Sequence, residues 1–218
     1  SLIPDSNVLG EVAQRFTEGP AELAVVACRV EEWLPESDDI DELRSRDRRR
    51  GPIETGGFHS GGVGFRRALL DEAGYYHREI FLYGSELFLQ MKLLAHGYRI
   101  VHYPEILMLH KSSGVARSPQ GLYYELRNRY WFMRRFASRR QRARFIPSML
   151  LYDAVYTLAN RRPSAFARAV KHGFGPMPPD LRQAVRSPSA IFQAKIEEVG
   201  RRFGLQALLR SVSTGLRR

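Results

Sequence analysis

Val8, Val12 and Phe16 recur at helical spacing in NVLGEVAQRF and predict an amphipathic helix entered from a loop, with Asp5, Ser6 or Asn7 as its N-cap. The next apolar run, AELAVVACRV at 21–30, does not alternate. A near-continuous apolar stretch with three valines predicts a strand buried on both faces, as in the parallel sheet of an α/β protein. Residues 31–55 turn polar, from EEWLPESDDIDE to RSRDRRR, and read as an exposed connection or a lid over a site. In GGFHSGGVGFRRALLDEAG, residues 56–74, five glycines fall within nine positions, so the backbone can turn sharply or approach a neighbour closely. FRRALLDEAG then predicts a short helix closed by Gly74.

The segment FLYGSELFLQMKLLAHGYRIVHYP sets Leu87, Met91 and Leu94 at i, i+4, i+7, with Ser85 as N-cap and Gly97 as terminator. Phe88, Leu89, Leu93 and Ala95 widen the apolar face, so this helix is mostly buried. YRIVHY and EILMLH read as two short strands separated by Pro104, the second ending at His110. From about Gln120 the pattern becomes helical through YYELRNRYWFMRRF and FIPSMLLYDAVYTLAN. A GPMPP linker and the amphipathic tail IFQAKIEEVGRRFGLQALLRSV follow.

Composition narrows the class. With 218 residues and 44% hydrophobic content the chain can bury a real core, as one domain or a domain with an appendage. A single cysteine, Cys28, excludes an internal disulfide and any cysteine-built metal site, and points to a reducing, cytoplasmic setting. No window holds the roughly 20 apolar residues of a membrane-spanning helix, and the first residues do not read as a signal peptide. Of the 34 Lys and Arg, 20 lie in residues 127–218 against 4 Asp and Glu, whereas residues 1–126 are net acidic. That basic half could meet nucleic acid, anionic lipid or a phosphorylated ligand, and charge alone does not choose.

The glycine-rich segment is neither a Walker A loop nor a dinucleotide fingerprint. Glu86, a carboxylate at the start of an apolar helix, reads either as a partner of the helix dipole or as a group that moves a proton. His110, at a strand end, is either a packed residue or a ligand.

The order of segments from Gly56 to Phe136 resembles the second half of the catalytic domain in family 2 glycosyltransferases. The resemblance is nearest to bacterial members that build cell-surface polysaccharide, rhamnosyltransferase-like ones included. Tyr83, Gly84, Glu86, Leu89, Gly97, Tyr98, Arg99, Pro104 and His110 keep the family's framework. The resemblance implies a partial GT-A (Rossmann-like) α/β domain over residues 1–118 and a basic helical region over 119–218. It implies transfer of a sugar from a nucleotide-sugar to an acceptor hydroxyl with inversion, Glu86 acting as general base. His59, Gly61, Gly62, Arg66, Tyr83, Arg127 and Asn128 would line the donor and acceptor sites, and His110 would stand near a Mg²⁺ or Mn²⁺ ion. The acceptor would be a saccharide or a lipid-linked group, with the basic region resting on the anionic cytoplasmic face of the membrane.

Two departures qualify that framework. Ser85 and Phe88 stand where the family carries acids, which keeps an inactive homologue open, and the family's Asp-x-Asp metal motif would precede Ser1. The expectation is therefore a fragment lacking its nucleotide-binding half. A nucleic-acid-binding module is the alternative, suggested by RNRYWFMRRFASRRQRARF. The same residues read as a packed helix with a solvated basic face, and with no nucleic-acid motif present no such partner is expected.

Overall fold

The computed structural model describes residues 7–33, 38–39, 42–43, 51–80, 82–111, 118–204 and 207. By its contacts the chain divides into two compact units, Ser1–Tyr75 with Leu89–Val115, and Tyr76–Phe88 with Ala116–Arg218. Residues 76–88, read from sequence with the catalytic part, group by contact with the helical part.

The first unit is mixed α/β. Helix α1 (Val8–Glu18) leads into β1 (Leu23–Trp33), followed by β2 (Ile53–Glu54), β3 (Val63–Phe65) and helix α2 (Arg67–Ala73). Helix α3 (Ser85–Ala95) and strand β4 (Arg99–Lys111) complete it, α3 contributing its first turn to the other unit. The sheet order is β2-β4-β1-β3, with β1 parallel to β4 and the two outer pairings antiparallel. Residues 23–29 of β1 are all buried, as an apolar run without alternation requires. Val26, Cys28, Val101, Tyr103 and Ile106 form one core with Val8 of α1, joined by Val12 and Phe16. Asp5 and Ser6, two of the expected caps, lie outside the described residues. Asn7 is the N-cap by position, with no side-chain hydrogen bond to the helix.

Three sequence expectations change. Residues 31–55 contain structure: β1 runs on to Trp33 and β2 lies at 53–54, while most of the remainder is outside the described residues. The two strands expected around Pro104 are one strand. Cys28 pairs with Tyr103 and Arg29 with Leu107, so Pro104, Glu105 and Ile106 form a bulge opposite β1. A bulged proline lacks an N–H where the ladder needs none, which is why it does not end the strand. Ser85 is not a cap but the first residue of α3, because Gly84 O already accepts from Phe88 N at 3.0 Å.

The far end of α3 closes as predicted. Gly97 at φ 81° turns the chain, Gly97 N donates to Leu94 O and Tyr98 N to Leu93 O, a paired closure of the Schellman type.

The second unit is helical: α4 (Pro119–Phe136), α5 (Arg139–Ala159), α6 (Pro163–Phe174), α7 (Pro179–Arg182) and α8 (Ala190–Arg202). Ser118 caps α4 through Gly121 N, and Ser138 with Gln141 forms a capping box on α5, each worth about 1 kcal/mol. Phe88, Phe132, Phe136 and Phe192 are fully buried and meet edge-to-face or tilted. Burial of such rings contributes roughly 1.5–3 kcal/mol each. Phe88, which replaces an acid in the resembled family, is thus a core residue. Across α5 the buried positions are Phe145, Met149, Asp153 and Thr157, one stripe at a spacing of four.

The solvated basic face expected for residues 127–145 falls on α5, where Arg139, Arg140 and Arg144 are exposed, and not on α4. Arg127, Arg129 and Arg135 are buried, and so is the Asn128 amide. Arg129 pairs with the fully buried Asp153 at 3.2 Å, though without hydrogen-bond alignment, and Tyr130 Oη donates to Asp153 at 2.7 Å. Burial raises the Asp153 carboxyl above its ordinary range, against the opposing pull of Arg129 and Tyr130. Sequence reading missed this cluster. Its signal was an aspartate on the apolar stripe of a helix, four residues from Met149, where a carboxylate must find a partner.

Candidate functional site

The candidate residues fall into two groups, one in each unit. In the helical unit the turn before α3 carries two successive residues in the left-handed region, Tyr83 at φ 54° and Gly84 at φ 92°. Glycine adopts that conformation freely, whereas tyrosine is held there at a cost of roughly 1–2 kcal/mol. What holds it is Asn128. Its amide nitrogen donates to Leu82 O at 2.6 Å and to Tyr83 O at 2.8 Å. Its amide oxygen accepts from Arg127 Nε and Nη2, at 3.0 and 2.8 Å, and Nη2 also donates to Glu79 O. Arg127 is fixed in turn against aromatic faces, 4.1 Å from the Trp131 ring and 4.9 Å from Tyr124.

The clamped turn delivers Glu86 to the first turn of α3, half-buried, with Ser85 Oγ donating to its Oε2 at 3.1 Å. Its other oxygen accepts from no described residue. Around it the surface is aromatic: Tyr76 is 42% exposed and Tyr83 36%. Burial raises the Tyr76 phenol above its ordinary pKa, and the negative charge of Glu86 adds to the shift. Tyr83 packs where Gly121 has no side chain, since a Cβ there would lie 2.9 Å from the ring. A carboxylate with one oxygen unengaged, beside exposed aromatic rings, can accept a proton from a hydroxyl bound on that surface.

In the α/β unit the glycine-rich segment lies over β1 and β4. Gly61 N donates to His59 Nδ1 at 3.0 Å, and Gly62 O accepts from Cys28 N at 2.9 Å. A Cβ on Gly62 would fall 2.8 Å from both Met108 and Val30, so close approach explains the glycine. This brings His59 to His110, ring centroids 5.4 Å apart and edge-on. Gln90 of α3 anchors the segment by donating to Phe58 O at 2.8 Å. Arg66 serves the fold: it donates to Leu23 O and Phe16 O, at 3.0 and 2.7 Å, tying α1 to the start of β1.

The described residues do not fit Mg²⁺ or Mn²⁺. No group of three or more His, Cys, Asp or Glu that could hold a metal occurs among them. His59 and His110 offer nitrogen, whereas a hard cation requires several oxygens. Among the described residues no helix is long and apolar enough to cross a membrane.

A site not anticipated from sequence opens in the helical unit between α4, the end of α6 and the proline-rich 175–179 segment. This cleft of about 580 Å³ is lined by Arg127, Trp131, Lys171, His172, Met177 and Arg182 among others. Comparison with models of known families finds no match, and comparison with curated proteins finds none.

Proposed function

We propose that this chain is part of a nucleotide-sugar-dependent glycosyltransferase in which Glu86 removes the proton from an acceptor hydroxyl. The observation that supports the reading is the Tyr83–Gly84 turn, held in the left-handed region by Asn128 and presenting a half-buried carboxylate among exposed tyrosines. Backbone strain that a neighbouring side chain maintains is characteristic of sites where position matters. Exposed tyrosine rings suit the apolar face of a sugar, and the carboxylate accepts the proton as the hydroxyl oxygen attacks the anomeric carbon. Ser85 and Phe88 do not speak against the role, since one donates to Glu86 and the other fills the core. Exposed Arg139, Arg140 and Arg144, with exposed Leu151 and Leu158 on α5, support contact of the basic region with an anionic lipid surface.

The test is Glu86→Gln in the full-length protein, assayed with labelled nucleotide-sugars and saccharide or lipid-linked acceptors. Transfer falls by at least about a hundredfold while donor binding persists. Near-normal turnover of the variant removes Glu86 from the mechanism. The buried state of Arg127, Arg129 and Arg135 gives no support to the nucleic-acid reading.

A further inference from the structure

The cleft in the helical unit gathers Arg127, Lys171 and Arg182 on its wall, and among the described residues no carboxylate lines it. Some arginines of this unit pair with acids, as Arg129 does with Asp153 and Arg144 with Glu197, whereas the cleft wall carries positive charge with no acid among its lining residues. The three cations are held in place or available to a ligand. Arg127 is fixed by Asn128, Glu79 O and the Trp131 face, while its Nη1 donates to no described residue. Arg182 is oriented by one bond, Nε to Met177 O at 2.8 Å, which leaves both terminal nitrogens without a described acceptor. Lys171 is exposed; its carbonyl accepts from Gly175 N at 3.0 Å, while its ammonium makes no hydrogen bond or ion pair to a described residue. His172 is turned by its Nδ1 contact with Tyr123 Oη at 2.8 Å, and its carbonyl accepts from Trp131 Nε1 at 3.0 Å, so the α4–α6 wall is fixed too. Met177 and the flanking prolines supply an apolar floor.

We propose that this cleft binds a phosphate or diphosphate group, with the organic part of the ligand over the Met177 floor. A guanidinium fork presented with a free edge matches phosphate oxygens in geometry, and a flexible ammonium beside it adds charge. The volume, about 580 Å³, accommodates a phosphorylated small molecule. Arg127 is shared with the residues expected at the donor and acceptor sites, whereas Lys171 and Arg182 are not, so the cleft is tested through those two.

Isothermal titration of pyrophosphate into the chain tests it. The expected result is saturable one-site binding that Lys171→Glu weakens by about tenfold or more, the loss of one charge-assisted hydrogen bond. Lys171→Ala gives a smaller loss in the same direction, and Arg182→Ala, checked for an unchanged melting temperature, gives a comparable one. Glu86→Gln leaves the binding unchanged, so a failed transfer assay and a failed cleft are told apart. Competition by phosphatidylglycerol vesicles identifies the phosphate as a lipid headgroup, and its absence identifies a soluble phosphorylated ligand. No saturable binding overturns the proposal. So does an equal loss in Arg140→Glu, an exposed cation outside the cleft, because diffuse charge would then explain the affinity.

Discussion

Replacing Asn128 by leucine isolates the clamp on the Glu86 turn. The substitution keeps approximate volume but removes two donated bonds, to Leu82 O and Tyr83 O, and the acceptor for two nitrogens of Arg127. The two carbonyls belong to partly exposed residues and can turn to water, so each contributes about 0.5–1.5 kcal/mol. The buried guanidinium loses a charge-assisted acceptor, worth about 1.5–3 kcal/mol. Against this, Tyr83 is released from the left-handed region, which returns about 1 kcal/mol. The net expectation is a destabilisation of about 2–4 kcal/mol, or about 4–16 °C in melting temperature. Urea unfolding followed by the fluorescence of Trp131, which lies against Arg127, reads the change at its source. Hydrogen exchange adds the local view, with the Phe88 amide, bonded to Gly84 O, losing protection before the rest of α3. Asn128→Asp retains the acceptor and loses the donors, so it loosens the turn while sparing Arg127. A leucine variant within about 0.5 kcal/mol of the parent refutes the clamp, since no reading of Asn128 as its source survives a neutral substitution.

Two further outcomes concern buried titratable groups. Asp153→Ala leaves Arg129 buried without its partner and costs about 3–5 kcal/mol in urea unfolding, whereas replacing the cluster together as R129M, Y130F and D153L is neutral or stabilising. Because burial raises the folded-state carboxyl of Asp153, the folded form holds its proton more tightly. Stability relative to Asp153→Asn is therefore greatest below the ordinary carboxylate value of 3.8 and declines as pH rises toward the folded pKa. Burial, reinforced by Glu11, pushes the Cys28 thiol from 9.0 up to about 11, so native protein resists iodoacetamide at pH 8, where only about a thousandth is thiolate. The same shift withdraws stability as pH rises from 9.0 toward 11, and labelling below that window that is as fast in native as in unfolded protein contradicts the buried position.

Local patterns were legible where one physical requirement dominated. The apolar run at 21–30 had to be buried on both faces, Gly74 and Gly97 had to end helices, and both adopt positive φ. Pro104 misled because a missing N–H ends a strand only where the ladder needs that donor, and a bulge removes the need. The arginines of α4 misled for a different reason. Helical spacing does not reveal that Asp153, the Phe203 ring and the carbonyls of Glu79 and Asp180 would be waiting for them, since those partners come from distant segments. For the candidate site, sequence singled out Glu86 and Asn128 as separate residues. Their connection through the carbonyls of Leu82 and Tyr83 is a tertiary fact that no spacing contains.

The bulge in β4 also sets a reading frame. Three residues stand unmatched between Tyr103 and Leu107, an odd number, so the inward and outward positions of 107–111 are exchanged relative to an uninterrupted strand. Leu107 and Leu109 thereby join Leu43 and Trp33, while Met108 meets Gly62 on the face that His110 shares. Loss of two residues from the loop would leave the frame intact, but loss of one or of all three would shift it. The leucines and His110 would then change places, and the histidine pair would vanish without any change to either histidine. Parity at 104–106 is thus inherited by every side chain downstream in the strand, and length there matters more than the identity of its residues.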